Sequence, residues 1–153
     1  MLEMSLNWQF KALSDFDPMT LYAVMQLRSQ VFVVEQDCVF LDMDGKDQKA
    51  IHVFRMEKER CTHYARILGA GYYYPSHACI GRIVIAEEAR GNGSGYALVA
   101  ASVTACKQSF PNQPIKISAQ KHLQKFYEKC GFEYRGEDYD EDGIPHCAMY
   151  FNA

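Results

Sequence analysis

Residues 78–110, ACIGRIVIAEEARGNGSGYALVAASVTACKQSF, set the tightest limit on what this chain can fold into. Their first part is a β-branched run without proline, which predicts a buried strand. Their last part predicts a helix, because Val99, Val103, Cys106 and Phe110 recur at steps of four, three and four and share one face. Gly91, Gly93 and Gly95 lie between. A strand, a glycine turn and a helix N-terminus together form an anion site: the first helical N–H groups lack partners, and the helix dipole leaves partial positive charge there. Glycine lets the chain turn tightly and lets a ligand approach the backbone. Arg90 adds a fixed positive charge. The segment reads as a pyrophosphate site.

Three motifs compete for that pyrophosphate. A P-loop needs Gly-Lys-Ser/Thr, and here Gly93 and Gly95 are followed by Ser94 and Tyr96. A dinucleotide fingerprint needs G-x-G-x-x-G and an acidic residue about 20 positions on. Here the third glycine is one residue early, and the next strand, Ile115 to Ser118, runs into Ala119-Gln120. The third motif is Arg/Gln-x-x-Gly-x-Gly/Ala. Arg90-Gly91-Asn92-Gly93-Ser94-Gly95 fits it at every fixed position, and so resembles the acetyl-coenzyme A motif of the GNAT N-acetyltransferases. The alternative is a plain glycine turn that caps a helix.

At 153 residues and 48% hydrophobic composition the chain is expected to be one domain, 1–153, with a true core. The net charge of −3 with no basic stripe argues against nucleic acid as a partner. No apolar run approaches the roughly 18 residues of a membrane span, so no membrane partner is expected. MLEMSLNWQF has neither the basic start nor the apolar core of a signal peptide. Six cysteines without any C-x-x-C fit a reducing, cytoplasmic setting.

The remaining elements follow in order. Asn7 to Leu13 predicts a strand with Trp8 and Phe10 on one face. Asp17-Pro18 opens a helix with Leu21, Val24, Leu27 and Val31 inward and a break or bend near Val33. A turn-rich loop leads to a hairpin, 50–57 and 62–68, joined by Lys58-Glu59-Arg60. The central strand, turn and helix come next, and Pro111 and Pro114 end the helix. A strand at 115–119 and a short helix at 122–129 follow, then paired strands at 133–135 and 147–151 joined by an acidic turn, Glu137 to Pro145. This order predicts an α/β fold, an α+β mixed sheet with helices on both faces. It is also the element order of the GNAT fold.

A second stretch strengthens the resemblance. The family's later motif, roughly Asn-x-x-Ala-x-x-Leu-Tyr-x-x-x-Gly-Phe, is similar to Gln120, Leu123, Phe126, Tyr127, Gly131 and Phe132. Gln for Asn and Leu for Ala are departures. Leu27-Arg28, Val31-Phe32-Val33, Glu35-Gln36, Asp42-x-Asp44-Gly45, Tyr64-Ala65-Arg66, Gly81-Arg82 and 141–146 (EDGIPH) resemble the ElaA group, and so does nearly the whole chain. The resemblance implies a bacterial, cytosolic, acetyl-coenzyme A-dependent N-acetyltransferase without a metal. It names no acceptor and leaves a homodimer open.

The resemblance also implies roles. Pantetheine would bond to the backbone of Ile83 and Ile85, and an N–H near Val84 would polarise the thioester carbonyl. Gly91, Asn92, Gly93, Ser94, Gly95 and Tyr96, with Arg90, would hold the pyrophosphate. Tyr127 matches the family's general acid; read without it, Tyr127 is a core aromatic beside Phe126. Glu35 is the first candidate for the base, since a place after an apolar helix suggests partial burial and a raised pKa. His122, His52 and His146 are alternatives. Asp42 to Asp47 lacks the spacing of a calcium loop. That segment and Glu137 to Asp142 are acidic, and at a substrate mouth they would attract a small cationic amine. Two other readings stay open: an acetyl-coenzyme A sensor without turnover, and an acyl-homoserine-lactone synthase, suggested by Arg28-x-x-Val31-Phe32 but opposed by the complete glycine motif.

Overall fold

The computed structural model describes residues 8–151. The expected strand start at Asn7 lies outside them.

The element order is β1 (Gln9–Ala12), α1 (Pro18–Arg28), β2 (Ile51–Glu57), β3 (Arg60–Leu68), β4 (Ala78–Ile85), α2 (Ser94–Ser109), β5 (Ile115–Gln120), α3 (Gln124–Lys129), β6 (Phe132–Glu141) and β7 (Ile144–Phe151). The strands form one sheet in the order β1-β2-β3-β4-β5-β7-β6. Every pairing is antiparallel except β4 with β5. Helices cover both faces, as the pattern of elements required. Alternation along the strands divides the interior: Phe54, Tyr64 and Val84 pack with Val24 and Leu27 of α1 and with Val31 just beyond it. Val53, Ala65, Ile67, Ile80 and Ile117 pack with Leu98, Val99, Val103 and Cys106 of α2, and with Tyr127 of α3.

Local chemistry explains the ends of these elements. Asp17 caps α1, its Oδ1 accepting the Thr20 N–H at 2.9 Å, and Pro18 opens the helix. The bend expected near Val33 is a change of winding that begins at Ser29. Through Glu35 the chain follows a wider helix, with Gln36 N–H bonded to Val31 O and Cys38 N–H to Val33 O.

Phe10 pairs with Val53 on the face that α2 covers, the face of buried Trp8, as expected, although Phe10 itself is 47% exposed. Two expectations need correction. Arg60 belongs to β3, because Lys58, at φ +58°, closes the hairpin within two residues. The acidic segment from Glu137 to Pro145 is not a turn. Asp138, Tyr139, Asp140 and Glu141 pair with Cys147, His146, Pro145 and Ile144, and only Asp142-Gly143 turns the chain, both at positive φ. Its acidic groups are tolerated in a strand because partners hold them: Lys121 Nζ donates to Asp138 at 2.9 Å, and Tyr150 OH to Glu137 at 2.6 Å.

One join in the sheet positions the site. β4 and β5 are parallel neighbours at Ala78↔Ile115 and Cys79↔Lys116 and nowhere beyond. Past Cys79 the two strands part, and the side of β4 that would pair with β5 is left open.

Candidate active site

The opening between β4 and β5 is a cleft of about 540 Å³. Ile83, Val84, Ile85, Arg90, Gly95, Tyr127 and Glu35 all line it. The structure therefore brings these sequence candidates together. Gly91, Asn92, Gly93 and Ser94 form the turn that follows β4 and lie outside the cleft lining. Tyr96 is 42% exposed and rests on Phe126, ring centroids 4.8 Å apart.

The backbone of β4 alternates. Ala86 N–H donates to Thr62 O at 2.8 Å, so Val84, which pairs with Tyr64, also turns its N–H toward β3. Ile83 and Ile85 then turn their amides into the cleft. The Val84 N–H is thus taken up by β3, and the N–H groups near it that have the free direction are those of its two neighbours. A bulge beside Arg82, at φ +48°, precedes them.

The turn is built for close backbone approach. Gly93, at φ +80°, is the residue before α2, and space is open where its Cβ would stand. At Gly95 a Cβ would meet Phe126 at 3.3 Å and Ile85 at 3.4 Å, so only glycine lets α2 start this close to the cleft. Asn92 Oδ1 accepts the Ser94 N–H at 3.1 Å. Ser94 Oγ lies 2.8 Å from His63 Nε2, and His63 Nδ1 lies 2.8 Å from Thr62 Oγ1. Burial, with the Arg55 charge, pushes the His63 pKa down to about 4, so a neutral ring holds the start of α2. Nothing local in the sequence marks His63 as part of this site.

Arg90 does not project freely. Its Nε donates to Ile85 O at 2.9 Å and its Nη2 to Glu35 Oε2 at 2.7 Å. Glu35 is exposed, so the burial expected of a base is not found there. Its position after the wide helical turn makes it a partner for Arg90 across the cleft.

Tyr127 is 7% exposed, packed edge-on to Phe126 and Phe132. Burial pushes its phenol pKa well up, so the proton stays on. Tyr127 also lines a second chamber of about 140 Å³, with Arg82, Ser118, Glu141 and His146 among its walls. Phe32, Gln36, Ile83, Gln120 and Leu123 are common to both spaces, so the cleft and the chamber meet at Tyr127.

The histidines separate. His122 is exposed at the cleft. His52 is fully buried, bonded to Tyr64 OH and Asp47 O, and burial lowers its pKa. His146 reaches the chamber. Its Nδ1 lies 2.7 Å from Ile144 O, which requires an N–H there, and its Nε2 lies 3.5 Å from Glu141 Oε2.

A buried ion network explains the acidic loop. Arg28 bonds Asp42 at 2.9 Å and Asp47 at 2.8 Å; Arg66 bonds Asp44 at 2.8 Å and Asp47 at 3.1 Å; Arg82 bonds Asp42 at 2.7 Å. Burial disfavours ionised Asp47, but the bonds from Arg28 and Arg66 outweigh it and lower its pKa. Three aspartates are matched by three arginines, so the expectation that Asp42 to Asp47 draws a cationic substrate is corrected. Glu141 and Asp142 remain as acidic groups on the chamber wall.

The fold agrees with that of the chain's relatives. The model of the acetyltransferase (GNAT) domain matches residues 43–152. The UPF0039 protein sll0451 of Synechocystis is 37% identical over 98% of this chain and 97% of its own length. Protein ElaA of Escherichia coli is 38% identical over 94% and 95%, and its crystal structure superposes with a TM-score of 0.86, covering 95% of this chain and 99% of that one. An acyl-CoA N-acyltransferase from Pseudomonas aeruginosa, 35% identical, has the same TM-score of 0.86 and the same coverage, 95% and 99%. No helix among the described residues is long and apolar enough to cross a membrane. With a whole-length likeness on both sequence and fold, this chain belongs to the GNAT acetyltransferase superfamily, within the ElaA group, and is an acyltransferase.

Proposed function

We propose that the protein transfers an acetyl group from acetyl-coenzyme A to a primary amine, by direct attack with donor and acceptor bound together. The observation that carries this reading is one continuous path. The open backbone of Ile83 and Ile85 leads from the glycine turn to Tyr127, where the donor cleft meets the acceptor chamber. The acyl-CoA N-acyltransferase named above supports a coenzyme A thioester as donor. Coenzyme A supplies an activated acetyl group. The amine nitrogen forms a bond to the acetyl carbon and the carbon–sulfur bond breaks. The Ile83 and Ile85 amides bind the extended arm, and Tyr127 O–H gives its proton to the departing sulfur. His146 Nε2 takes the proton that the amine must lose, and Glu141 gives the imidazolium a partner. Glu141 and Asp142 favour a small cationic amine at this chamber.

The direct test is thiol release from acetyl-coenzyme A across amines, amino acids and peptides. Release with a small amine is expected; hydrolysis alone, or binding without release, overturns the reading in favour of a sensor. Gly93→Val serves as the donor control. Valine at φ +80° is strained, at a cost of roughly 1–3 kcal/mol, and its side chain stands in the approach path. Donor affinity by calorimetry should fall about tenfold or more.

Glu35 and His146 are separated by a second measurement. Glu35→Gln releases Arg90 toward the pyrophosphate. Donor affinity should rise by up to about fivefold, the worth of an exposed ion pair, with kcat unchanged. His146→Gln should lower kcat by about 10²-fold or more. A kcat loss in Glu35→Gln and none in His146→Gln would restore Glu35 as the base.

A further inference from the structure

The acceptor chamber is acidic at one end only. Glu141 and Asp142, where β6 turns into β7, are the acidic residues that line it. Glu141 is held in place. Tyr139 O–H donates to Ser118 Oγ, and Ser118 O–H donates in turn to Glu141 Oε1 at 3.1 Å. The second oxygen, Oε2, faces His146. The remaining charged residue of the lining is a cation, Arg82, whose Nε and Nη2 are given to Asp42. Asp42, Asp44 and Asp47 are taken up by the arginines and do not line the chamber, so they offer no second anchor. Much of the other wall is hydrocarbon that the fold leaves partly uncovered. Phe32, Phe40, Leu123 and Ile144 line the chamber, and each is half-buried. The Phe40 ring stands against the Arg82 guanidinium, 5.6 Å from it. Such surfaces gain from an apolar ligand in proportion to the area it covers.

We propose that the acceptor is a monoamine with an uncharged hydrocarbon arm: its one ammonium sits at Glu141 and Asp142, and its arm lies against Phe32, Phe40 and Ile144. Diamines and polyamines are then poor ligands. This rests on the transfer reading above and narrows its substrate class. Net charge alone would favour the most cationic amine, but the placement of charge does not. A first ammonium trades water for a fixed carboxylate. A second ammonium within the chamber would trade water for hydrocarbon and the Arg82 guanidinium, and a charge buried without a partner is costly. A methyl group in its place covers the same hydrocarbon and gives up no hydration of a charge.

The test measures binding apart from turnover. Calorimetry on the wild-type protein with coenzyme A in excess compares n-pentylamine with 1,5-diaminopentane, which has the same chain and one more ammonium. Pentylamine should bind about tenfold or more tighter, the cost of the unpaired charge. Phe40→Ala removes one apolar wall from a segment that belongs to no strand or helix. It should weaken pentylamine about fivefold or more and change the diamine by no more than about twofold. Equal or tighter binding of the diamine, no binding of pentylamine, or an unaltered preference in Phe40→Ala overturns the proposal. If Phe40→Ala fails to fold, the wild-type comparison decides. Should pentylamine bind with this preference while acetyl-coenzyme A releases no thiol, the monoamine site stands and the transfer reading fails. Should the diamine bind more tightly and be acetylated, transfer stands and the monoamine site fails.

Discussion

Tyr127→Phe should lower turnover about 10²–10⁴-fold and leave donor affinity within about twofold. The substitution keeps the ring that packs against Phe126 and Phe132 and removes one oxygen. Stability should therefore change little. The phenol is buried, and burial raises its pKa, so it is in the acid form throughout the working range. The pH profile follows. Since the shift is upward, Tyr127 contributes no alkaline loss of activity near its ordinary value of about 10. Activity should rise with pH as the amine loses its proton. Single-turnover acetyl transfer and calorimetry on the Phe variant check both halves. A variant that turns over at the wild-type rate would make Tyr127 a packing residue and leave sulfur to be protonated by water.

Arg28→Met should cost about 3–5 kcal/mol of folding stability, the largest single-residue loss expected outside the site. Arg28 is fully buried, on the last turn of α1, and it holds Asp42 and Asp47 from loops that no strand pairing fixes. Burial disfavours its charge, but Tyr64, Asp47 and Asp42 outweigh that and raise its pKa further. Methionine fills much of the space but leaves two carboxylates short of a partner in a poorly hydrated place. Urea unfolding reads the effect as a lower midpoint. Arg60→Met is the comparison. Arg60 bonds Glu88 at 2.7 Å, yet the two side chains are 67% and 52% exposed, and its loss should cost no more than about 1 kcal/mol. Equal losses for the two variants would show that the buried network contributes no more than a surface pair.

What could be read from the sequence was what is local in it. The run from Ala78 to Ile85, the glycines and the face of α2 each carry a signal within a few residues, and their places in the fold follow from it. Tyr127 lies on a short helix ended by Gly131, at φ +99°; its place on the apolar face is local in the same way, whereas its role as an acid comes only from the family resemblance. The arginine network was not legible. Arg28, Asp42, Asp47, Arg66 and Arg82 are far apart along the chain, and each alone reads as an ordinary surface charge. Only the sheet brings them together under α1. The final hairpin was misread because acidic residues and glycine suggest a turn, while the pairing that overrides them comes from β7. Glu35 lines the cleft, but without the burial that its place after an apolar helix suggests. Its approach to Arg90 depends on the wide helical turn after Ser29, and no residue there announces such winding.

The two-position join between β4 and β5 has a mechanical consequence. The sheet is two ladders, β1 to β4 and β5 to β7, zipped together for only their first rungs. A chain that closed this seam would gain hydrogen bonds and lose its cleft. Kept open, the seam offers the amides of Ile83 and Ile85 to an extended molecule, and the thioester donor proposed above would lie there as a substitute strand in place of the missing rungs. Occupancy then acts as a splint. A molecule seated there touches the glycine turn and β4 of one ladder and the α3 flank of the other, so the rigidity of the two halves is joined to whether the seam is filled.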